Sequence, residues 1–482
     1  MAKIITIAPV TRIEGHAKIT VNLDDAGNVA DARLHVVELR GFEKFCEGRP
    51  AEEMPRIVTS ICGVCPWSHH LASSKTVDAL YGAKNLPSAG RKLRELCNSI
   101  AFIEEHTLHF YFLAGPDFIM GPDADPATRN IMGIAKANPD LARKVVKARA
   151  LAARMLQYFT GKSIHPVVSV PGGFSKPLTE AERTEMKPWA DDLLEFARFS
   201  MAHAKENIFP KYLDTIKSLG VIRTGFLGTV AEDGSLDLYD GKLRLMKADG
   251  SHTDFATADY DQHIAEHVEP WSYLKFPYAK AWGAFSLDAE EKSQAIYRVN
   301  TLARLNVCDK IRTPLAQAEL EEFRSQFGRP AQETLLYHYA RLIELLYNAE
   351  YAVALLADPE ITSTEVRATC APKAGRAAAS VEGPRGTLIH DYECDAQGLI
   401  TAVNLIVGTT HNNAAMNMSL LRAAREVIKG GQYDQGALNR IEMAIRAYDP
   451  CLSCATHTID GRIRLRVDVF GPDGAPAGSI SN

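Results

Sequence analysis

Two C-x-x-C pairs near opposite ends of the chain constrain its fold more than any other feature. Cys62 and Cys65 form the first pair, Cys451 and Cys454 the second, with 385 residues between them. Sulfurs spaced by three residues chelate one soft metal, so two pairs supply four thiolates. A fold that uses all four must bring both ends of a 482-residue chain into one domain, although length alone suggests two or three. Zinc modules keep their pairs roughly 12–20 residues apart, because the metal organises a small local fold. On spacing alone, structural zinc, a redox or catalytic metal, and coincidence all remain open. The other five cysteines, Cys46, Cys97, Cys308, Cys370 and Cys394, are scattered singly and read as small buried hydrophobes. An odd total in a long chain argues against a disulfide framework.

The composition closes off several function classes. Lys and Arg number 54 against 59 Asp and Glu, a net charge of −5, so no basic excess meets a phosphate backbone and nucleic acid is not an expected partner. The longest charge-free stretch, Ala396 to Leu421, is interspersed with Asn, Thr, His and Gln and is no membrane span. Residues 1–20 contain Lys3, Arg12, Glu14 and Lys18 without the apolar block of a signal peptide, which points to the cytoplasm. Gly161-Lys162-Ser163 mimics the end of a phosphate loop, but Leu156 stands where the earlier glycine is required. No G-x-G-x-x-G follows a strand, so neither ATP nor a dinucleotide is expected on this chain.

Periodicity predicts an α+β fold, a mainly helical core bundle with strand hairpins near both ends. Ala17, Ile19, Val21 and Leu23 alternate with polar residues, Asp24 to Asn28 turn the chain, and Ala32, Leu34 and Val36 alternate again. Helical spacing runs from about 50 to 220, interrupted at Pro116, at Gly121-Pro122 and from Pro166 to Gly173. A smaller hairpin is expected where Leu243, Leu245 and Thr253 flank Ala248-Asp249-Gly250. The clearest helix spans Thr334 to Ala357, stopped by Asp358-Pro359. Strands flank Asp395 to Gly398, and a helix from about 413 to 430 ends at Gly430-Gly431. Ile463, Leu465, Val467 and Val469 alternate before the turn Gly471 to Gly474 and read as a strand.

The neighbours of the cysteines narrow the chemistry. Arg12-Ile13-Glu14-Gly15-His16 stands near the start. Cys62-Gly63-Val64-Cys65 is followed four residues on by His69, and Asp449-Pro450-Cys451-Leu452-Ser453-Cys454 by Thr456-His457. These three segments, in this order, resemble the large subunit of nickel–iron hydrogenases, and the resemblance extends over essentially the whole chain. Within that family, the stretches Thr11 to Val29, Glu333 to Leu346 and Asp449 to Asp460 look most like the cytoplasmic, multi-subunit branch. The viologen-reducing, heterodisulfide-reductase-linked enzymes come first and the NAD-reducing soluble enzymes next. A related respiratory complex I subunit shares the fold but lacks the metal thiolates.

The resemblance implies a set of roles. Cys62, Cys65, Cys451 and Cys454 would bind nickel, and Cys65 and Cys454 would also bridge to an iron carrying carbon monoxide and cyanide. Soft thiolates suit such a metal pair. Glu14 matches the carboxyl that passes protons, and Arg385, in Gly383-Pro384-Arg385-Gly386, the guanidinium over the metals. Asp449 would pair with Arg385 or cap the local turn, and His69 would donate to a thiolate sulfur. Glu43, a backbone carbonyl near Leu405, and His457 match ligands of a magnesium or similar divalent cation. The segment Glu105 to Tyr111 resembles a family stretch that often carries Asp where Glu105 stands, so the second acid over the metals is not carried over to Glu105.

The expected activity is reversible heterolytic cleavage of molecular hydrogen to protons and electrons. The chain has no further four-cysteine set, so electrons must leave through an iron–sulfur small subunit. Electron-transfer subunits of heterodisulfide-reductase or diaphorase type would follow it. The resemblance also implies a catalytic domain over 1–457, with residues 458–482 removed by an endopeptidase once a maturation chaperone has helped install the metals. The rival readings are a zinc-stabilised scaffold subunit of a redox complex and a hydrogen sensor.

Overall fold

Strict alternation of burial along Ala17–Leu23 makes it a strand with one face in the core. A computed structural model describes residues 3–83, 85–288, 295–456, 466–470 and 475–481. In it, Lys3–Ile7 (β1), Ala17–Leu23 (β2) and Val29–Val36 (β3) form an antiparallel sheet in that order. The β2–β3 hairpin is the one that the periodicity predicts. The first strand was not legible, since Ile5 is its one buried residue.

Helices follow: Phe42–Cys46 (α1), Pro66–Tyr81 (α2), Ser88–Leu108 (α3), Pro139–Thr160 (α4) and Glu180–Asn207 (α5). Thr179 and Glu182 close a capping box at the start of α5. The expected break at Pro116 does not occur. A π-helical turn, His109–Ala114, carries α3 into a short helix, Gly115–Ile119, with Pro116 in its first turn, where a missing N–H costs no hydrogen bond.

The chain then forms strands Gly225–Val230 (β4), Lys242–Met246 (β5), His252–Phe255 (β6), Ile264–His267 (β7), Phe276–Ala279 (β8) and Tyr297–Arg298 (β9). One sheet has the order β9-β4-β5-β6 and contains the expected β5–β6 hairpin; β7 and β8 pair separately. Thr301–Val307 (α6) leads to Tyr337–Ala357 (α7). This last helix is buried over nearly its whole surface, Arg341 and Glu344 included, and packs on α3 and α5.

Gly375–Gly383 (β10), Gly386–Cys394 (β11) and Ile400–Ile406 (β12) form an antiparallel sheet against which α2 lies. Gly408–Val427 (α8) packs on β3 and on Gln435–Arg446 (α9). Last come Arg466–Phe470 (β13) and Pro476–Ser481 (β14), antiparallel to one another. The expected strand residues 463–465 and the turn 471–474 lie outside the described residues. Three ends converge on one place: the start of α2, the β10–β11 turn and the segment after α9.

Candidate metal centre

Each cysteine is presented by a local device. The 3-10 turn Val58–Ile61 ends at Cys62, and Val64 N–H donates to the Cys62 Sγ at 3.3 Å. Cys65 caps the start of α2, with Pro66 in its first turn, and the positive end of a helix favours a thiolate there. At the other end of the chain, Asp449 turns back with φ 51°, and Cys451 N–H donates to Thr409 Oγ1 at 2.9 Å. Glu14 forms an isolated parallel bridge with Cys451. Its N–H donates to Pro450 O at 3.3 Å, and Leu452 N–H donates to Glu14 O at 3.1 Å. A Cβ on Gly15, at φ 82°, would lie 2.7 Å from Leu452 Cβ. This crossing requires glycine.

The four sulfurs are buried and lie within 4.8 Å of one another. Cys62 and Cys451 are 3.3 Å apart, Cys65 and Cys454 3.0 Å, Cys451 and Cys454 2.8 Å. The Cys451 thiol's hydrogen bond holds Cys62 well below the usual thiol range, while burial pushes Cys451 and Cys454 up. Four such thiols ionise together only when a cation replaces their protons. Among the described residues, no other set of His, Cys, Asp or Glu has metal-ligand geometry.

Arg385 stands over this cluster in the two-residue connection between Gly383 and Gly386. Its Nη1 donates to Glu105 Oε2 at 2.5 Å, and its Nε lies 3.3 Å from Asp449 Oδ1. All three side chains are buried. A guanidinium buried alone costs several kcal/mol, so the two flanking acids are what permits it here. Burial pushes both carboxyls above their usual range, against the pull of Arg385. A Cβ on Gly408, the first residue of α8, would lie 2.2 Å from Arg385 O; the helix reaches this turn only because that residue is glycine.

A small cavity opens between Cys65, Ser68, His69, Arg385, Cys451 and Cys454. Arg385 Nη2 and Ser68 Oγ are buried and have no partner among the described residues. Leaving a buried donor unpaired costs about 1–3 kcal/mol. The residues therefore fit a metal group held by the sulfurs and bearing small ligands that accept hydrogen bonds. His69 is pushed down to about 4 by burial, so at neutral pH it is an uncharged imidazole. Its ring lies 5.6 Å from that of His390.

A separate cluster forms at Glu43. Its Oε1 accepts from Leu405 N–H at 2.9 Å and lies 3.4 Å from Lys275 Nζ. Lys275 also meets Glu266 Oε1 at 2.7 Å and Asn404 Oδ1 at 2.8 Å. In an extended strand, N–H and C=O of one residue point to the same side, so the Leu405 carbonyl faces the edge that Glu43 occupies.

The comparisons agree with this geometry. The nickel-dependent hydrogenase family pattern matches residues 40–148 and 256–457, and a HoxL-like pattern matches residues 4–39. The chain belongs to the nickel-dependent hydrogenase family. It is 47% identical to one subunit of the F420-non-reducing hydrogenase of Methanothermobacter thermautotrophicus, over 98% of each chain. It is 39% identical to the beta chain of the NAD-reducing hydrogenase HoxS of Cupriavidus necator, again over 98% of each. A crystal structure of an NAD+-reducing [NiFe]-hydrogenase in the H2-reduced state superposes with a TM-score of 0.89 at 42% identity, covering 94% of this chain and 99% of that one. The four-cysteine cluster of this hydrogenase chain supports a nickel–iron centre. The zinc-scaffold reading gives way to the family match.

Of the residues named from the hydrogenase motifs, the fold brings Cys62, Cys65, Cys451, Cys454, Glu14, His69, Arg385 and Asp449 to one place. Asp449 pairs with Arg385. Glu43 and Leu405 meet in their own cluster, and His457 lies outside the described residues. Glu105, which the sequence reading did not carry into the site, reaches Arg385 in the structure. Ser68, Thr409 and Lys275 were missed, and no local pattern marks them.

Proposed function

We propose that this chain is the catalytic subunit of a nickel–iron hydrogenase, holding nickel on Cys62, Cys65, Cys451 and Cys454 and sharing Cys65 and Cys454 with iron. The observation that carries this is the cavity at those two sulfurs, with buried donors that have no partner among the described residues. When bound, the centre supplies a Lewis acid beside basic thiolates, at which dihydrogen splits heterolytically. Arg385, held between Glu105 and Asp449, presents a fixed positive charge over the site, and with Ser68 it suits acceptor atoms on diatomic ligands such as cyanide beside carbon monoxide. His69, neutral, keeps one ring N–H for a thiolate. Glu14 takes the proton away from the thiolate side, because its backbone is bridged to Cys451 and its Oε2 accepts from Ser453 N–H at 3.1 Å. A carboxyl placed to shuttle protons in this way contributes roughly 10²–10⁴-fold.

Glu43, the Leu405 carbonyl and His457 would hold magnesium or a similar cation. The Glu43 carboxylate beside Leu405 supports this, and Arg40 N–H donates to Thr456 O at 3.2 Å, which brings Thr456 beside the segment leading to Glu43. Electrons leave to an iron–sulfur small subunit, then to subunits of heterodisulfide-reductase or diaphorase type. The relatives are themselves named as single subunits of larger hydrogenases. The cytoplasm is the proposed location; among the described residues no helix is long and apolar enough to cross a membrane.

Residues 458–482 form a maturation extension on a catalytic domain of 1–457, acted on by a chaperone and an endopeptidase. In support, β13 and β14 pair with each other and with no other strand among the described residues, so removing them breaks no larger sheet. Elemental analysis of the purified complex tests the main reading. Nickel present, with at least one iron per nickel once the iron of the iron–sulfur subunit is subtracted, supports it, and zinc alone overturns it. Intact mass tests the extension, since an active chain still ending at Asn482 would refute its removal.

A further inference from the structure

The turn that carries Arg385 is held from behind by a second buried charge cluster. Arg304, on α6, donates from Nη1 to Gly383 O at 2.9 Å and from Nη2 to Pro384 O at 3.3 Å. These are the two carbonyls immediately before Arg385. The same guanidinium forks onto Glu344, with Nε to Oε1 and Nη2 to Oε2 both at 2.6 Å, and Nη1 meets Glu382 Oε2 at 2.8 Å. Glu382 Oε1 accepts from Thr229 N–H and Oγ1 at 2.9 Å and from Thr387 Oγ1 at 2.7 Å. Glu344 Oε2 lies 3.0 Å from His106 Nε2. Arg304, Glu344, Glu382 and His106 are all fully buried.

The cluster binds the chain beside both members of the Arg385–Glu105 ion pair. Through Arg304 it holds the backbone of the β10–β11 turn, and so Arg385. Through Glu344 it holds His106, the neighbour of Glu105 on α3. A buried ion cluster stabilises a fold no better than well-packed apolar residues of the same volume. What it does supply is one geometry, because every donor and acceptor of Arg304, Glu344 and Glu382 has its partner. A lysine at 304 would keep the charge but lose the planar fork that reaches two carboxylates and two carbonyls at once.

We infer that Arg304, clamped by Glu344 and Glu382, is a positioning residue that sets where the Arg385 guanidinium stands at the metal centre. This rests on the hydrogenase reading for its catalytic consequence, though not for its structural one. Arg94 provides the control. It is equally buried, pairs with Asp78 at 2.5 Å and donates to Gly173 O and Val170 O, but it does not touch the turn.

The test compares Arg304→Lys with Arg94→Lys in the full chain. Backbone amide exchange, read by mass spectrometry on the metal-free protein, should quicken over residues 382–388 in Arg304→Lys and not in Arg94→Lys. In the loaded complex, Arg304→Lys should lose about 10- to 100-fold in turnover at unchanged nickel content, the scale of a misplacement near 1 Å. Arg94→Lys should lose thermal stability and keep turnover. Equal effects of the two variants on exchange and turnover, or no effect of Arg304→Lys on either, overturn the inference. Should Arg304→Lys fail to fold, Glu344→Gln replaces it, with the same direction in exchange expected and the same outcome fatal. Wild-type complex without nickel or hydrogen turnover would overturn the functional reading and leave the exchange result standing.

Discussion

Around Arg304, every guanidinium nitrogen and every carboxylate oxygen of Glu344 and Glu382 has a partner. Around Arg385, Nη2 and Ser68 Oγ have none among the described residues, although both residues are buried. The difference separates two uses of buried charge. A saturated cluster spends all its hydrogen bonds on protein and therefore fixes geometry. An unsaturated one leaves donors unpaired at about 1–3 kcal/mol each, a cost a fold sustains where a bound group completes the set. The four sulfurs beside those donors say what kind of group that is.

The comparison breaks most completely at the sulfurs. Cys454→Ala removes a thiolate from the unsaturated side and should abolish both nickel retention and turnover; full nickel with activity in that variant would sink the metal assignment. Next in size, Glu14→Gln keeps the shape but removes the titratable proton. Dihydrogen–deuterium exchange with solvent should fall by roughly 10²–10⁴-fold with nickel retained, and unimpaired exchange would move the proton route elsewhere. Arg385→Lys leaves the charge but cannot serve Glu105, Asp449 and the cavity together. Turnover should drop by about 10²–10³-fold at unchanged metal content, and a loss of metal instead would make Arg385 a structural rather than a chemical element. The smallest effect sharpens the contrast among the cysteines. Cys97→Ala, a lone buried thiol on α3, should cost about 1 kcal/mol by equilibrium unfolding and leave nickel content and turnover untouched.

Local chemistry explains what was legible. The C-x-x-C pairs, the β2–β3 and β5–β6 hairpins, the strands about Asp395 to Gly398 and the helix through Leu342 and Leu345 all show themselves within a dozen residues. Where the reading slipped, a distant contact was responsible. Helix α8 begins at Gly408, earlier than its periodicity suggests, because that glycine packs against Arg385 O. Pro116 fails to break the helical run because a π-turn places it in a first turn.

The sequence by itself determined the thiolate spacing, the glutamate and glycine beside them, and the family to which the chain belongs. Those signals are short because chelation and capping act between near neighbours. Only the tertiary structure decided that Glu105 reaches Arg385, that Lys275 shares Glu43 with Leu405, and that Arg304 holds the turn carrying Arg385. Those contacts join residues from 79 to 362 positions apart, and burial alone gives such charges a single place to go.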